Sequence, residues 1–447
     1  MKILQYRLEI CLNTEEVYSL ALALTEVLKP LIGGIRRTFW EKLNIPIDAA
    51  SFWPEKPENK DSSFLLGDIL LSGKDSIFYY KLDPNGNFLE TGALSRREPQ
   101  GFEDFRLRIR EKLEEISGRP AGDFVKIDSY QEVLPFLKET SETIVPSRAE
   151  MAASREIEKP EALRLITTLG SGKEIFLKSL LEGIDDVQAA KAAFERLQKA
   201  GLAAEDSVVL CQKTGQQILR ASSGEAVEES LQKGFKCSLC GKPISQERIE
   251  ELIVISDFGQ KMLDRDYWLA VRAFGALETL GITQKEILLE RSSSRAPVVF
   301  FNLGGRPAVL VLKSASFTLN DVYVIQAQVS AYGTALAVLF SNAKIPTIIK
   351  NNIRQGTSEC TFAFIENLDG FEEKLQLVLR ERLREYVVEI TQSFNELTPV
   401  RVQDLIINTL TASPDAVLQK PTNKLKEPSE KETQKKRTKK NSSPKAD

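Results

Sequence analysis

Apolar residues alternate over residues 3–12 and then recur at helical spacing as Val17, Leu20, Leu24, Val27, Leu28 and Leu31. The change of period falls at Asn13-Thr14-Glu15-Glu16, where a capping side chain is followed three residues later by Glu. A strand running into a capped helix is predicted, with Pro30 and Gly33-Gly34 kinking or ending the helix. Residues 54–63 form a polar loop, and residues 64–71 and 76–82 read as strands. Asp83-Pro84-Asn85-Gly86-Asn87 is a turn signal leading into Phe88-Leu89. Phe102, Phe105, Ile109, Leu113 and Ile116 mark one face of a helix closed by Gly118. Residues 1–140 therefore read as an α/β unit. It carries no catalytic motif, and its aromatics are core candidates.

Residues 141–160 are polar and rich in Ser and Glu, and read as a linker. Helices are then expected at residues 162–169 and 175–181. A third begins after Asp185-Asp186, carries Val187, Ala190, Phe194 and Leu197 on one face, and stops at Gly201. Residues 202–210 return as a strand. Three short helices running into β structure over residues 161–210 resemble the winged-helix fold. The resemblance implies that the third helix can enter the DNA major groove. Its polar face presents Gln188, Lys191, Glu195, Arg196 and Gln198, of which Gln188, Lys191 and Arg196 are candidate DNA contacts. The mixed charge of this face suits a spacer or a protein-docking module equally well.

The next segment, residues 211–256, carries cysteines at informative spacing. Cys237-Ser238-Leu239-Cys240-Gly241 is a metal knuckle, two thiols on a tight turn followed by a glycine. Cys211-Gln212-Lys213-Thr214-Gly215 has the same outline, with Thr214 where a second Cys would stand. The pair resembles a zinc ribbon lacking one ligand. Cys211, Cys237 and Cys240, completed by water or a carboxylate, are candidate zinc ligands. The alternative is a turn held by packing alone.

From residue 262 onward a helix (268–280), a strand (287–289), two apolar runs (297–301 and 308–312) joined by Gly304-Gly305-Arg306-Pro307, a helix (319–332) and a strand (335–340) follow in order. This order, with Leu310-Val311-Leu312-Lys313 closing the hairpin, resembles the restriction-endonuclease-like superfamily over residues 262–350 of a domain extending to about 400. The resemblance places Lys313 at the catalytic lysine and Val311 where the motif has Glu. The preceding metal-binding Asp falls near Pro297 or Asn302, and neither is an acid. Val cannot ligate Mg²⁺ and Asn offers only a neutral carbonyl, so no Mg²⁺ is expected and Lys313, Asn302 and Val311 read as vestiges. Glu278, Glu290 or Asp321 are the acids that a relocated site would use. A buried α/β core with a chance lysine is the plainer alternative. A further strand (362–368) and a long amphipathic helix (371–394) follow.

Composition narrows the chemistry further. The 447 residues contain no histidine, which removes imidazole bases and every His-containing metal site. Five cysteines are too few for a disulfide scaffold. Charge is uneven: residues 414–447 hold ten Lys or Arg against five Asp or Glu, while the remainder is acidic. The tail (412–447) is expected to be disordered and basic, with Lys435, Lys436 and Arg437 as candidate nucleic-acid contacts. No apolar run is long enough to span a membrane and the N-terminus lacks a signal-peptide core, so a cytoplasmic protein is expected. The expectation is a multidomain α/β and α+β protein, non-catalytic and DNA-associated, of the prokaryotic defence or genome-maintenance kind that the resemblances imply. A structural adaptor with a protein partner and a nuclease with relocated carboxylates are the other two classes.

Overall fold

The computed structural model describes residues 3–28, 34, 66–397 and 402–411, apart from breaks at 74, 173, 183–185, 223, 291–295 and 357–358. Pro30, the polar loop at 54–63 and the basic tail with Lys435, Lys436 and Arg437 lie outside the described residues. The chain is a mixed α/β protein built on three sheets.

The first sheet is antiparallel, in the order β2-β3-β4-β1-β5, from β1 (Leu4–Cys11), β2 (Leu66–Ser72), β3 (Ser76–Asp83), β4 (Phe88–Ser95) and β5 (Val125–Ile127). Helices α1 (Thr14–Val27) and α2 (Phe102–Ser117) cover one face. Asn13 caps α1 in a full capping box with Glu16, as the sequence predicts. Strand alternation divides β3 between two cores. Phe78, Tyr80 and Leu82 meet the helices, whereas Ile77 and Tyr79 face the opposite way. There Tyr79 packs against Phe394, with ring centroids 4.6 Å apart. The first sheet is thus sandwiched between its own helices and the C-terminal part of the chain.

Residues 141–160 are not a linker. After α3 (Ser129–Thr140), β6 (Ser141–Thr143) pairs with β11 (Ile287–Glu290), and α4 (Arg148–Ile157) begins at a Ser147–Glu150 capping box. The Ser/Glu-rich composition that suggested a linker reflects this cap and a half-exposed helix. Ala153 and Ile157 on its other side are fully buried.

The second sheet has the order β7-β10-β8-β9, all antiparallel. It follows α5 (Pro160–Gly172) and comprises β7 (Glu174–Phe176), then, after α6 (Leu177–Leu181) and α7 (Val187–Lys199), β8 (Ala203–Leu210), β9 (Gln217–Ala221) and β10 (Arg248–Ile255). Asp186 caps α7, and Ala190, Ala193, Phe194 and Leu197 form its buried face. Between β9 and β10 lies α8 (Gly224–Gln232), packed through Val227 on Val209.

The third sheet runs β15-β14-β13-β12-β11-β6. Helices α9 (Asp257–Leu263) and α10 (Tyr267–Thr279) lead into β11, β12 (Val298–Leu303) and β13 (Arg306–Lys313), which are mutually antiparallel. α11 (Leu319–Ala331), β14 (Leu336–Ser341), α12 (Thr347–Gln355) and β15 (Thr361–Glu366) follow, with β13, β14 and β15 parallel. The parallel strands need both faces covered. Leu310, Leu312, Val338 and Phe340 meet α10 and α13 (Phe371–Ile390), while Val309, Val311, Ala337 and Leu339 meet α3, α11 and α12. A last helix, α14 (Gln403–Thr411), closes the described chain. Residues up to Leu410 form one compact unit.

Tyr130 shows why α3 belongs to the third sheet rather than to the first. It is fully buried there, and its hydroxyl donates to the Glu286 carbonyl at 2.9 Å. Tyr130→Ala is expected to lower stability by about 3–5 kcal/mol and Tyr130→Phe by about 1 kcal/mol. Denaturant titration measures both; a Tyr130→Ala protein as stable as wild type would detach α3 from this core.

Candidate metal centre

Buried Val208, Val209 and Leu210 carry β8 directly into Cys211. The chain then turns back through two contacts, Gly215 N donating to Cys211 O at 2.7 Å and Cys211 N to Gln216 O at 2.9 Å. The second turn repeats this pattern: Gly241 N donates to Cys237 O at 2.9 Å, and Cys237 N to Lys242 O at 2.7 Å. Gly215 and Gly241 have φ of 72° and 78°, the left-handed region that both turns require and that glycine adopts without a Cβ clash. Both tight turns expected around the cysteines are therefore present.

They face each other, and a fourth group joins them. β10 begins opposite the end of β8, with Arg248 paired to Leu210, so the residue before it, Glu247, falls across from Cys211. A 3-10 turn at Ile244–Gln246 delivers it there. The thiol sulfurs of Cys211, Cys237 and Cys240 and a carboxylate oxygen of Glu247 all lie within 4.8 Å of one another. Cys211, Cys237 and Glu247 are buried and Cys240 is partly so. Among the described residues this is the one group of three or more such side chains able to hold a metal ion. Thr214 is exposed and is not a member; its hydroxyl bonds to Cys211 instead.

The four donors are tied to one another and to the backbone by hydrogen bonds. Cys240 Sγ donates to Glu247 Oε1 at 2.8 Å, and Gln212 N donates to Glu247 Oε2 at 2.6 Å. The Glu247 carboxylate pushes the Cys240 thiol up to about 12. In return, that thiol and the Gln212 amide hold Glu247 below the ordinary carboxylate range. The Thr214 hydroxyl leads in bringing Cys211 down to about 7, against its burial and with help from the Thr214 and Lys213 amides. A tetrahedral zinc with thiolates at 2.3 Å sets sulfurs about 3.8 Å apart, so closing this cluster onto an ion needs about an ångström of movement or less. The donor set fits a thiophilic divalent cation that would displace the thiol protons. Glu247 was not foreseen from the sequence, because only the β8–β10 register places it beside a cysteine 36 positions away.

Lys313 ends β13 as expected, and its surroundings are different. Its Nζ lies 2.7 Å from Asp321 Oδ2. The same oxygen accepts from Thr318 N at 2.7 Å and Thr318 Oγ1 at 2.8 Å, making Asp321 the third residue of the capping box that starts α11. Burial would raise the Asp321 pKa, but the bonds from Lys313 and Thr318 outweigh it and hold the carboxyl below its ordinary value. Asp266 lies on the other side of the strand end, accepting from Ser314 N and Oγ at 2.9 Å each. These bonds hold a strained pair, since Arg265 and Asp266 are consecutive non-glycine residues with φ of 50° and 59°.

Val311 is buried between Val298 and Leu339. Pro297 is at the same end of the sheet, its carbonyl accepting from Leu312 N at 3.0 Å. Asn302 is corrected as a vestige of the site. It pairs with Pro307 at the opposite end of the hairpin, four residues or about 13 Å along β12 from Val298. There it is buried and braces the turn, accepting from Gly305 N and donating to Glu286. Glu290 does lie at the Lys313 end but is held by Gln328 Nε2 at 3.0 Å, its pKa raised first by burial. Gln328, which holds it, stands seven residues along α11 from Asp321, about 10 Å of helix rise. Glu278 accepts from Gln284 on the surface.

On α7, Gln188 and Lys191 are exposed, whereas Arg196 is drawn toward α4, its Nε 3.5 Å from Glu156. No helix among the described residues is long and apolar enough to cross a membrane. No protein-family model and no curated protein matches the chain.

Asp321→Asn removes the partner of Lys313 and weakens the cap, and is expected to cost about 1–3 kcal/mol at pH 7. Because the folded pKa is depressed, this contribution is complete above the ordinary Asp value of about 3.9 and is lost as pH falls through the lower folded value. Urea titrations should show the gap between wild type and variant at pH 7 shrinking at about pH 3; a gap independent of pH would refute the pairing.

Proposed function

We propose that this chain is a non-catalytic, DNA-associated protein in which a zinc-bearing winged-helix module is built into a restriction-endonuclease-like core. Support for the first part is connectivity: three helices, a short strand after the first, and a sheet with β10 between β7 and β8. This connectivity supports a winged-helix reading, in which the cysteine cluster would occupy the wing between β8 and β10. Support for the second is the order α10, β11, β12, β13, α11, β14, with the first three strands antiparallel and the fourth parallel to β13.

The observation that carries the non-catalytic reading is the use made of the acid beside Lys313. A nuclease of this kind needs carboxylates left free to bind Mg²⁺, which activates water and neutralises the phosphate. Here the paired positions Val298 and Val311 are apolar, and the acid that reaches the amine is committed to an ion pair and a helix cap. Zinc in the cysteine cluster is structural in this reading, with four protein ligands leaving no open position for chemistry. It ties the end of β8 to the start of β10. The runner-up, a nuclease with relocated acids, draws on Asp321 and Asp266 standing on either side of the β13 end.

Two measurements separate these readings. Elemental analysis of purified protein should find one zinc per chain, retained in Thr214→Ala and lost in Cys240→Ser and Glu247→Ala; protein without metal, or a Thr214→Ala loss, would sink the assignment. Supercoiled plasmid incubated with Mg²⁺ or Mn²⁺ should remain uncut. Nicking that disappears in Lys313→Ala would establish the nuclease instead.

A further inference from the structure

Both knuckles are edged by cations that point outward. Lys213 lies within the first; Lys236 immediately precedes and Lys242 immediately follows the second, with Lys233 three residues further back. All four are exposed, and among the described residues none makes a salt bridge, although the charge of Lys242 also acts on Glu247. Neither knuckle segment, residues 211–220 or 233–246, contains an acidic residue. The acids of this insertion are Glu225, Glu228 and Glu229 on α8 and the inward-facing Glu247. Phe235 and Leu239 are also solvent-facing beside these lysines, 54% and 44% exposed. A buried cation-binding core thus carries an exposed rim of lysines with apolar groups between them, on a protein whose net charge is −3.

The third helix offers less. Arg196 is engaged by Glu156, and α4 packs on α7 near it. The remaining exposed charges on α7 are Lys191 and Lys199, with Glu195 between them. Phosphate attraction is additive in cations and opposed by nearby acids, so the wing is the stronger anion surface.

We infer that the two knuckles, through Lys213, Lys236 and Lys242, form the surface that grips the phosphate backbone of duplex DNA, and that α7 is not the gripping element. This rests on the DNA-associated reading above and names its surface. The lysines neutralise phosphates, and Leu239 and Phe235 lie against the sugar edges.

The test uses the full-length, zinc-loaded chain and a labelled duplex of mixed sequence, with binding followed by fluorescence anisotropy from about 50 to 200 mM salt. The triple variant K213Q/K236Q/K242Q, checked for unchanged zinc content, should bind at least about ten-fold more weakly at the low-salt end. Its log–log salt slope should fall by about 2–3, near 0.9 for each phosphate contact removed. K191Q/K199Q tests the competing surface. A loss confined to that pair, with the triple variant binding like wild type, would overturn the wing assignment while leaving DNA association intact. Wild-type protein that ignores duplex at low salt would remove the DNA-associated reading and this inference with it, before any variant is compared.

Discussion

A charge withdrawn from water has to be matched by another charge or by hydrogen bonds, and the chemistry of this chain follows from how two such matches are made. At the end of β13 the match is internal and complete. Lys313 has Asp321, Asp321 has the amide and hydroxyl of Thr318, and a helix starts from the arrangement. A cation brought there would have to break a cap and expel an amine. Between β8 and β10 the match is shared more widely: Glu247 is held by the Cys240 thiol proton, the Gln212 amide, Cys237 and the charge of Lys242, and three sulfurs crowd the same space. At one place the ionic groups are absorbed into a helix cap; at the other, four donors stand close enough together to hold a metal ion.

The sandwich of sheets explains why these two places can differ so much. β13 and β14 are buried on both faces, so any polar side chain in their middle would need its own partner, and the positions from Val309 to Leu312 are apolar. Polar groups survive at the strand ends, where Lys313 and Ser341 meet loops. Asn302 is the exception that proves informative, a buried amide satisfied by Gly305 and Glu286 so that a tight turn can be made. The segment between β8 and β10 is under no such constraint. Its small apolar clusters, such as Val209 with Val227 and Ile244, leave the rest of its surface free for charge.

Much of this was legible in the linear sequence. The capping box at Asn13, the third helix from Asp186, both glycine-ended cysteine turns and the strand–helix order around Lys313 are all set by local rules of period, capping and turn chemistry, and the structure has them. Three features escaped for a shared reason. Glu247 reaches Cys211 only through strand register; Asn302 is far from Lys313 only once β12 and β13 are paired; and residues 141–143 are a strand only because β11 offers an edge. Each depends on contacts between distant segments, which neither propensity nor periodicity encodes. Composition misled at 141–160, where Ser and Glu serve as a helix cap rather than as a flexible tether.

The pairing of β6 with β11 has a consequence for how the chain comes together. Thr143 and Leu288 are partners separated by 145 positions, and the whole cysteine-bearing module is made between them. At about 5–20 residues per second, the edge strand leaves the ribosome roughly 7–30 seconds before its neighbour exists. During that interval the module between them has time to fold first. The β6–β11 pairing can close only after that segment has been made, and it then holds the segment's two ends as a clasp holds a loop.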